Sequence, residues 1–456
     1  MKVLKQSFYQ FCLAILCTVA LIVGCNITNA ITLKFLECFI ICSTSIVFIN
    51  CFKNCVEMNE ILSPIFVANT FAAFVFIVRP IQVMLSSNCI DEIYTIGMYN
   101  RLGGGVSFDE LPILLVNYIG FIGIFCMDIA YFGVRSSIPN LVSQKDHEDL
   151  GIGTVASALD IKQIVSIAIV MIPAFISMGS FVIKEVFASA DISMIDIVWL
   201  YIICALVAFL TAYQRRASLF VYSLIAVSVL VLGLASRRMY AVNLIICFIV
   251  PLYYFGRNRK KTIKKIVVMV ALLFTVVLAY GSIRASRIGA VQGTLIEQLM
   301  EEFCMYDMLL VSIIHCKKND IGLFWGYNFL TVFTTVIPGI KIKPFDHALT
   351  AVVLNGMFNG GIPVTLFGSL YLNFSFWGLI IGSVLLGLFF RYIRNRYRSV
   401  LSVKNIIYYS IFTTFAYDII RVGDIGREVW TCTIMILVAK IFVFMVPIQR
   451  TEEINE

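Results

Sequence analysis

The chain has 456 residues, of which 60% are hydrophobic and only 14% are charged. Soluble domains typically contain about 45–50% apolar and about 25% charged residues, so this composition excludes a water-facing globule and predicts an all-α polytopic membrane protein. The net charge of +8 comes from short basic blocks between apolar runs. Such blocks are typical of orientation signals rather than of a nucleic-acid surface, so no nucleic-acid partner is expected.

Apolar runs divide the chain into candidate membrane spans, each of about 20 residues. Twelve runs are present, at 8–25, 35–52, 61–78, 111–134, 163–183, 197–213, 217–235, 239–256, 266–282, 364–390, 405–420 and 430–446. The first run has no small-residue cleavage site before Cys25, which favours a retained span over a signal peptide. The pattern predicts about 12 transmembrane helices in a single multi-pass domain, residues 1–456.

The distribution of Lys and Arg predicts the orientation of these spans. With the N-terminus in the cytoplasm, the two densest basic blocks, at 257–265 and 391–404, both fall inside, and so does the C-terminus. Residues 282–363, between spans 9 and 10, then form a large periplasmic loop, and long ordered loops usually carry function. Within it, residues 294–314 alternate apolar and acidic side chains with helical spacing, which predicts an amphipathic helix at the outer membrane surface.

Six arginines fall on the outer side, where orientation signals do not explain them. They form three sequence pairs: Arg237 with Arg238, Arg284 with Arg287, and Arg421 with Arg427. A guanidinium group stays charged and binds phosphate oxygens bidentately, so the pairs together predict a site for a pyrophosphate. The alternative for any single arginine is that it snorkels to the interface or pairs with a carboxylate, such as Asp424 or Glu428.

Other candidates for chemistry are few. His347 follows Asp346 in the outer loop, where a histidine beside a carboxylate could act as a general base or contact a pyrophosphate; the alternative is a solvated loop histidine. The chain has three His, no CxxC pair, and most of its 14 Cys in apolar runs, where a thiol behaves as a small hydrophobe. We therefore expect neither a metal nor a cofactor.

Asp128 is the clearest charge within a predicted span. It either faces a cavity or pairs with Arg135 two turns further on, and the second interpretation is slightly favoured. A transporter places several ionisable residues along its spans and often contains an internal repeat. The near isolation of Asp128 and the lack of a repeat therefore weigh against a flippase or secondary transporter.

One segment carries a family resemblance. Residues 361–374 read GIPVTLFGSLYLNF and lead into WGLIIG at 377–382. The stretch before them contains Pro338, Lys341, Lys343 and Pro344. Together they resemble a recurring segment of the bacterial oligosaccharide repeat-unit (O-antigen, Wzy-type) polymerases, in which a large outer loop runs through proline and basic residues into a small–Leu–Tyr–Leu–Asn–Phe span.

The turn at 236–238 and the stretch at 421–424 also resemble features of this family, and the overall architecture is similar over nearly the whole chain. At the level of residues, the resemblance covers only about a tenth of the sequence. One departure is Ser369, because family members often have Glu at that position. If that Glu matters in relatives, its role is lost or moved in this chain.

The resemblance implies a lipid-pyrophosphate-dependent glycosyltransferase of the bacterial inner membrane, active in O-antigen or capsule synthesis. It would move a growing glycan from undecaprenyl pyrophosphate onto a fresh lipid-linked unit at the periplasmic face. The outer arginines would stabilise the pyrophosphate in place of a metal, and His347 or Asp346 would activate the acceptor hydroxyl. Membrane lipid and the chain-length regulator and flippase proteins of the same pathway would be its partners.

Three other functions remain open from the sequence. A glycan ligase or other lipid-dependent glycosyltransferase shares the architecture and the outer arginines. A polysaccharide flippase or transporter shares the spans but needs more charges within them. A structural membrane subunit needs neither the long outer loop nor the arginine pairs.

Overall fold

The computed structural model describes residues 2–85, 110–133, 161–184, 194–214, 218–234, 239–255, 303–334, 343–353, 363–398 and 402–445, and the isolated residues 262, 264, 267, 268 and 361. Regular secondary structure in these residues is entirely helical. The chain divides into two compact units. Unit 1 comprises Met1–Ser136, Met300–Tyr392 and Phe415–Trp430, and unit 2 comprises Ser137–Leu299, Ile393–Thr414 and Thr431–Glu456.

The first half of the chain contains α1 (Lys2–Gly24), α2 (Ala30–Glu57), α3 (Pro64–Ala73), a π-helical segment (Phe74–Val78), α4 (Arg79–Leu85), α5 (Glu110–Phe132), α6 (Ile161–Val182), α7 (Met194–Gln214), α8 (Leu219–Leu234) and α9 (Met239–Phe255). The second half contains α10 (Met305–Lys318), α11 (Tyr327–Thr334), α12 (Phe345–Val353), α13 (Thr365–Tyr397), α14 (Val403–Val422) and α15 (Ile425–Met445).

Each predicted span within the described residues coincides with a helix. Six helical stretches are long and apolar enough to cross a membrane: Ala30–Glu57, Pro64–Met84, Pro112–Phe132, Ile197–Gln214, Thr365–Tyr397 and Ile425–Met445. Four shorter apolar helices add to them: Phe8–Gly24, Ile167–Val182, Leu219–Leu232 and Tyr240–Phe255. Apart from two isolated residues, the predicted ninth span, 266–282, lies outside the described residues. The chain is therefore a multi-pass helical membrane protein.

Local sequence accounts for where several helices begin. The side chain of Asn29 accepts hydrogen bonds from the backbone N–H groups of Ile31 (2.9 Å) and Thr32 (3.4 Å) at the start of α2. Ser63 accepts from Phe66 N at 3.3 Å, and Pro64 occupies the first turn of α3, where it has no hydrogen bond to lose. These caps satisfy N–H groups that a helix terminus otherwise leaves without partners.

The core of unit 1 is built around α5 and the π-helical segment. A Cβ atom on Gly120 of α5 would fall on the ring of Phe76, and one on Gly123 would fall on the ring of Phe367. The Phe76 ring also lies 6.0 Å from the ring of Phe367 and 6.4 Å from that of Tyr306. Small residues let apolar helices approach closely, so the glycines of α5 let the π-helical segment and α13 pack against it.

The helix α10 is attached to this core by buried polar contacts. Arg79, directly after the π-helical segment, donates to Asp307 from Nε (3.1 Å) and Nη2 (2.7 Å). The neighbouring Tyr306 hydroxyl donates to Asn117 Oδ1 at 3.0 Å. We call Arg79 and Asp307 the anchor pair, because they join a helix of the predicted outer loop to a candidate membrane span.

The prediction of an amphipathic surface helix over residues 294–314 is wrong in the part that the structure describes. The helix begins at Met305, and most of its first two turns are buried, including Asp307, which was assigned to the polar face. The physical reason is the anchor pair: Arg79 compensates the charge of Asp307, so this face of the helix packs inside unit 1.

Unit 2 is organised around α7, which is buried along most of its length and packs against α6, α8 and α9. Trp199 of α7 is fully buried and its ring lies 5.7 Å from that of Phe181. Its backbone N–H donates to the Ser177 hydroxyl at 3.2 Å. The polar residues that we consider as a functional site belong to unit 1.

Candidate functional site

The span α13 is broken inside the membrane-spanning stretch. Phe374 and Ser375 have non-helical backbone angles, and Ser375 has a φ of 57° in the left-handed region. The break leaves backbone carbonyl groups without partners in the helix, and two of them accept hydrogen bonds from a neighbouring segment. Phe324 N donates to Leu372 O at 3.1 Å, and Trp325 N donates to Asn373 O at 3.2 Å. Irregular backbone at membrane depth requires such internal partners.

Ser369 and Asn373, the polar residues of the SLYLNF sequence at 369–374, lie next to this break. Asn373 Oδ1 accepts from Gly326 N (3.1 Å) and Asn328 N (3.5 Å) at the start of α11. Asn328 Nδ2 in turn donates to the Ser369 hydroxyl and to Gly423 O (2.6 Å). These five residues are held in one network, which joins α11 to α13 and to the turn that precedes α15.

The turn between α14 and α15 consists of Gly423 and Asp424 and packs closely on the start of α13. Gly423 has a φ of +72°, and a Cβ there would collide with the backbone carbonyl of Thr365. Thr365 is fully buried and itself has a φ of 63°, which is a strained conformation for a β-branched residue. Strained backbone of this kind costs about 1–3 kcal/mol and tends to occur at functional sites.

Asp424 fixes the starts of two helices. Its Oδ1 accepts from Arg427 N at 3.1 Å in the first turn of α15, and its Oδ2 accepts from Phe345 N at 3.2 Å at the start of α12. The Thr331 hydroxyl of α11 donates to the same side chain at 3.4 Å. Burial raises the pKa of Asp424, with Arg427 opposing the rise and Asp346 adding to it.

Next to Asp424, Arg427 lies between two further carboxylates. Its Nη1 donates to Asp346 Oδ2 at 3.3 Å and its Nε donates to Glu428 Oε1 at 3.0 Å. The Arg427 side chain is 18% exposed, whereas those of Asp346 and Glu428 are 6% and 4% exposed. We call Asp346, Asp424, Arg427 and Glu428 the carboxylate–arginine cluster; Arg427 has the most exposed side chain of the four.

The charges in this cluster decide what it can bind. One guanidinium faces three carboxylates, so with every group ionised the cluster itself carries excess negative charge. A phosphate would therefore have to replace a carboxylate as the partner of Arg427, or be held by further cations. The contact of Arg427 with Asp346 is longer than that with Glu428, 3.3 Å against 3.0 Å, so it is the one that we expect an anion to replace first.

Arg421, in the last turn of α14, lies in a second ion pair. Its Nη2 donates to Asp418 Oδ1 at 3.2 Å, and its guanidinium carbon lies 5.7 Å from the centre of the Tyr417 ring. The two side chains are 10% and 2% exposed. Asp418 and Arg421 are both electrostatic neighbours of Glu428, so this pair adjoins the carboxylate–arginine cluster.

The structure thus brings together part of the predicted site. Asp346, Arg427 and the Arg421 region meet at the α14–α15 turn, and the half-buried His347 follows Asp346 in α12, with its backbone N–H donating to Asp346 Oδ1 at 2.9 Å. The four other arginines, Arg237, Arg238, Arg284 and Arg287, lie outside the described residues. Whether they join this cluster stays a prediction.

Sequence analysis did not single out Asn328, and it considered Asp424 as an ion-pair partner and as part of the stretch 421–424 that resembles the family, but not as a helix cap. The position of Asp424, directly before a long apolar helix and three residues before Arg427, is a typical helix N-cap signal that would have identified it. No local signal identifies Asn328, because its partners come from segments far away in the sequence.

Asp128 lies apart from this cluster, among α2, α3 and α5. It accepts a hydrogen bond from Asn69 Nδ2, which also contacts Cys51 Sγ at 3.0 Å, while Arg135 lies outside the described residues. Asp128 is also less isolated than predicted, because Glu37 and Arg79 are likewise buried in candidate spans. In the part of the chain that the structure describes, no group of three His, Cys, Asp or Glu side chains could hold a metal ion.

Comparison with known proteins assigns this chain to no family. No protein-family model, curated protein sequence or solved structure matches this chain. The fold and the apolar helices define a multi-pass helical membrane protein, and its candidate site combines buried carboxylates with a partly exposed arginine beside a broken span.

Proposed function

We propose that this protein is a polysaccharide polymerase that joins oligosaccharide repeat units carried on undecaprenyl pyrophosphate. The observation that carries the proposal is the partly exposed Arg427 beside the carboxylate of Asp346. A glycosyl transfer from a pyrophosphate needs a cation for the leaving group and a base for the acceptor hydroxyl. Arg427 lies in the first turn of α15, where the helix dipole also favours a negatively charged ligand.

The contacts of Arg427 suggest how the two roles are coupled. The pyrophosphate of the donor takes the place of Asp346 on Arg427, while Glu428 keeps the Nε side of the guanidinium in position. Asp346, released from its ion pair, then accepts the proton of the acceptor hydroxyl as its oxygen attacks the anomeric carbon. The bond from that carbon to the pyrophosphate breaks, and the lipid pyrophosphate leaves with the negative charge.

The remaining predicted residues complete this proposal. His347 is the alternative base, next to Asp346 in the same turn of α12. Arg421, Arg237, Arg238, Arg284 and Arg287 are proposed to supply the further positive charge that a pyrophosphate requires. We propose no metal and no cofactor, about 12 spans with both termini in the cytoplasm of a bacterial inner membrane, and residues 282–363 in the periplasm.

The proposal is tested in a strain that lacks this chain and is complemented with variants, by electrophoresis of the surface glycan. Loss of a polymerase leaves single repeat units on their acceptor. We expect Arg427→Ala and Asp346→Asn to show this phenotype at normal abundance in the membrane, because each removes one half of the proposed chemistry. Arg427→Lys should lose most of the activity, since an ammonium group does not reproduce bidentate binding to phosphate.

Arg396→Ala is the matched control, because Arg396 is an exposed arginine on α13 and should leave the chain-length distribution unchanged. Normal chain lengths with both Arg427→Ala and Asp346→Asn would contradict the proposal. A glycan ligase predicts instead that the deletion strain carries no glycan on the acceptor at all.

A transporter is the second candidate, and the break in α13 favours it, because discontinuous helices form the substrate sites of many transporters. Loss of a flippase removes the surface glycan altogether, and lipid-linked single units accumulate on the cytoplasmic side. The accessibility of these units to a membrane-impermeant glycan-modifying reagent separates the two functions. Units that reach the periplasm without this chain favour the polymerase.

A further inference from the structure

We propose that α11 and the residues before it lie in the hydrocarbon layer of the membrane, with one face against the acyl chains of bilayer lipids. From the sequence, this segment belongs to the large periplasmic loop. The proposal concerns the position of the segment and does not depend on the proposed function.

The first observation is the division of α11 into two faces. Asn328 and Thr331 are buried and bond to Ser369 and Asp424. The exposed residues of the described part of α11 are large and apolar, with Phe329 at 41%, Leu330 at 53% and Phe333 at 67%, and Trp325 just before the helix is 76% exposed. Exposed apolar surface costs roughly 25 cal/mol per Å² in water, and contiguous patches of this kind mark interaction sites.

The second observation is that this face continues onto a membrane span. The backbone of Phe324 and Trp325 is hydrogen-bonded to the broken part of α13, and the rings of Phe329 and Phe374 lie 5.8 Å apart. Beyond the break, α13 exposes its own apolar side chains: Trp377, Ile381 and Leu385. A candidate span with such a face is expected to contact lipid, so the same lipid layer extends over α11.

The third observation concerns the backbone. The turn that leads into α11 is unusual, with Trp325 at a φ of 46° and Gly326 at 84°. Its N–H groups nevertheless have partners within the protein, on Leu372, on the Asn373 carbonyl and on the Asn373 side chain. In water such groups could bond to solvent, whereas at membrane depth an irregular segment is tolerated only when the protein supplies the partners.

The fold offers no equally good alternative for the cover of this face. A periplasmic protein would place the apolar residues of α13 and those of α11 against two different media, although the two helices touch through the rings of Phe329 and Phe374. The acyl chains of lipids would cover the exposed apolar residues of both helices with one and the same medium. The exposed face of α11 also lacks charged side chains, which a rim around a protein–protein interface usually provides.

The four tryptophans of the chain make a direct test possible. They are Trp199, Trp325, Trp377 and Trp430. Full-length single-tryptophan variants, with the others changed to Phe, are reconstituted in phosphatidylcholine vesicles that have brominated acyl chains. We expect brominated lipid to quench Trp325 about as strongly as Trp377, because both are 76% exposed, and to quench the fully buried Trp199 least.

Two results would overturn the proposal. Quenching of Trp325 by aqueous iodide but not by brominated lipid would place the face in water. Quenching by neither would indicate cover by protein, either a second copy or a partner. If Trp199→Phe impairs folding, Trp199 is kept in every variant, and the quenching of Trp325 is obtained from the difference between chains with and without it.

Discussion

Two ion pairs of unit 1 use the same chemistry in different surroundings. Arg79 contacts Asp307 through two nitrogens, at 3.1 and 2.7 Å, and the two side chains are 5% and 1% exposed. Arg427 contacts Asp346 through one nitrogen at 3.3 Å, shares its charge with Glu428, and is 18% exposed. Both pairs hold a helix of the predicted outer loop against helices of the spans.

The difference in exposure between the two ion pairs suggests a structural role for the first and a binding role for the second. In the anchor pair, two nitrogens of Arg79 contact Asp307 and both side chains are buried, so a ligand could reach Arg79 only by breaking the pair. The Arg427–Asp346 contact is longer, more exposed and flanked by a second acceptor, so we expect Arg427 to change partners more readily than Arg79. We therefore expect the arginines of the predicted outer side not to be equivalent, and the more exposed of them to be those that can bind a substrate.

The largest expected effect comes from breaking the anchor pair. Arg79→Ala leaves Asp307 buried without its compensating charge, which typically costs about 3–5 kcal/mol. We expect loss of the folded protein from the membrane, measured as abundance and as the melting temperature in detergent. The double variant Arg79→Met with Asp307→Leu should recover most of that stability, because apolar residues replace buried ion pairs well; failure to recover would mean that the pair does more than compensate charge.

A smaller loss of stability is expected at Arg427. Arg427→Gln removes a charge from a partly open cluster, where water and protons can compensate the carboxylates, so we expect a loss of about 1–3 kcal/mol. Glycan polymerisation should nevertheless be abolished. Melting temperature and chain length are measured on the same preparations, and a loss of stability equal to that of Arg79→Ala would erase the distinction between the two pairs.

Gly361 offers a way to disturb the same contact without changing a charge. A Cβ at this position would fall on the Asp346 carboxylate, so Gly361→Ala should push Asp346 away from Arg427. We expect shortened glycan chains and a loss of stability of about 1 kcal/mol. Gly322→Ala is the matched control, since a Cβ there meets nothing within 4 Å. Equal activity of the two variants would exclude a role for the position of Asp346.

The smallest effect is a dependence of stability on pH. Because burial raises the pKa of Asp424, the folded protein binds its proton to a higher pH than the unfolded chain does. Asp424 therefore contributes most to stability at low pH, and this contribution is lost as the pH rises from its ordinary pKa of 3.8 through the raised value. Melting temperatures of Asp424→Asn, compared with the parent chain, should show a flatter decline over that window; an unchanged slope would contradict this.

The sequence predicted the helices well because hydropathy is a local property: each described apolar run is a helix. It could not predict pairing between distant residues. Arg79 meets Asp307 across 228 positions, and without that partner Asp307 read as part of a solvated face. Arg427 was predicted to bind a pyrophosphate, with an ion pair to Asp424 or Glu428 as the alternative; the structure shows the contact with Glu428, whereas its other partner, Asp346, lies 81 positions away. Only packing brings these groups together.

The π-helical segment makes the anchor pair depend on residue number as well as residue type. The backbone N–H of Arg79 donates to Phe74 O, five residues back instead of the four of an α-helix, so this segment holds one residue more than the same stretch of α-helix would. Deleting any one residue of Phe74–Val78 would let the helix continue as regular α-helix with Arg79 in nearly the same direction, because the wide turn absorbs one residue. The same residues wound as regular α-helix would instead turn Arg79 by about 100° away from Asp307, so the wide turn, which involves no polar side chain, is what keeps α10 attached.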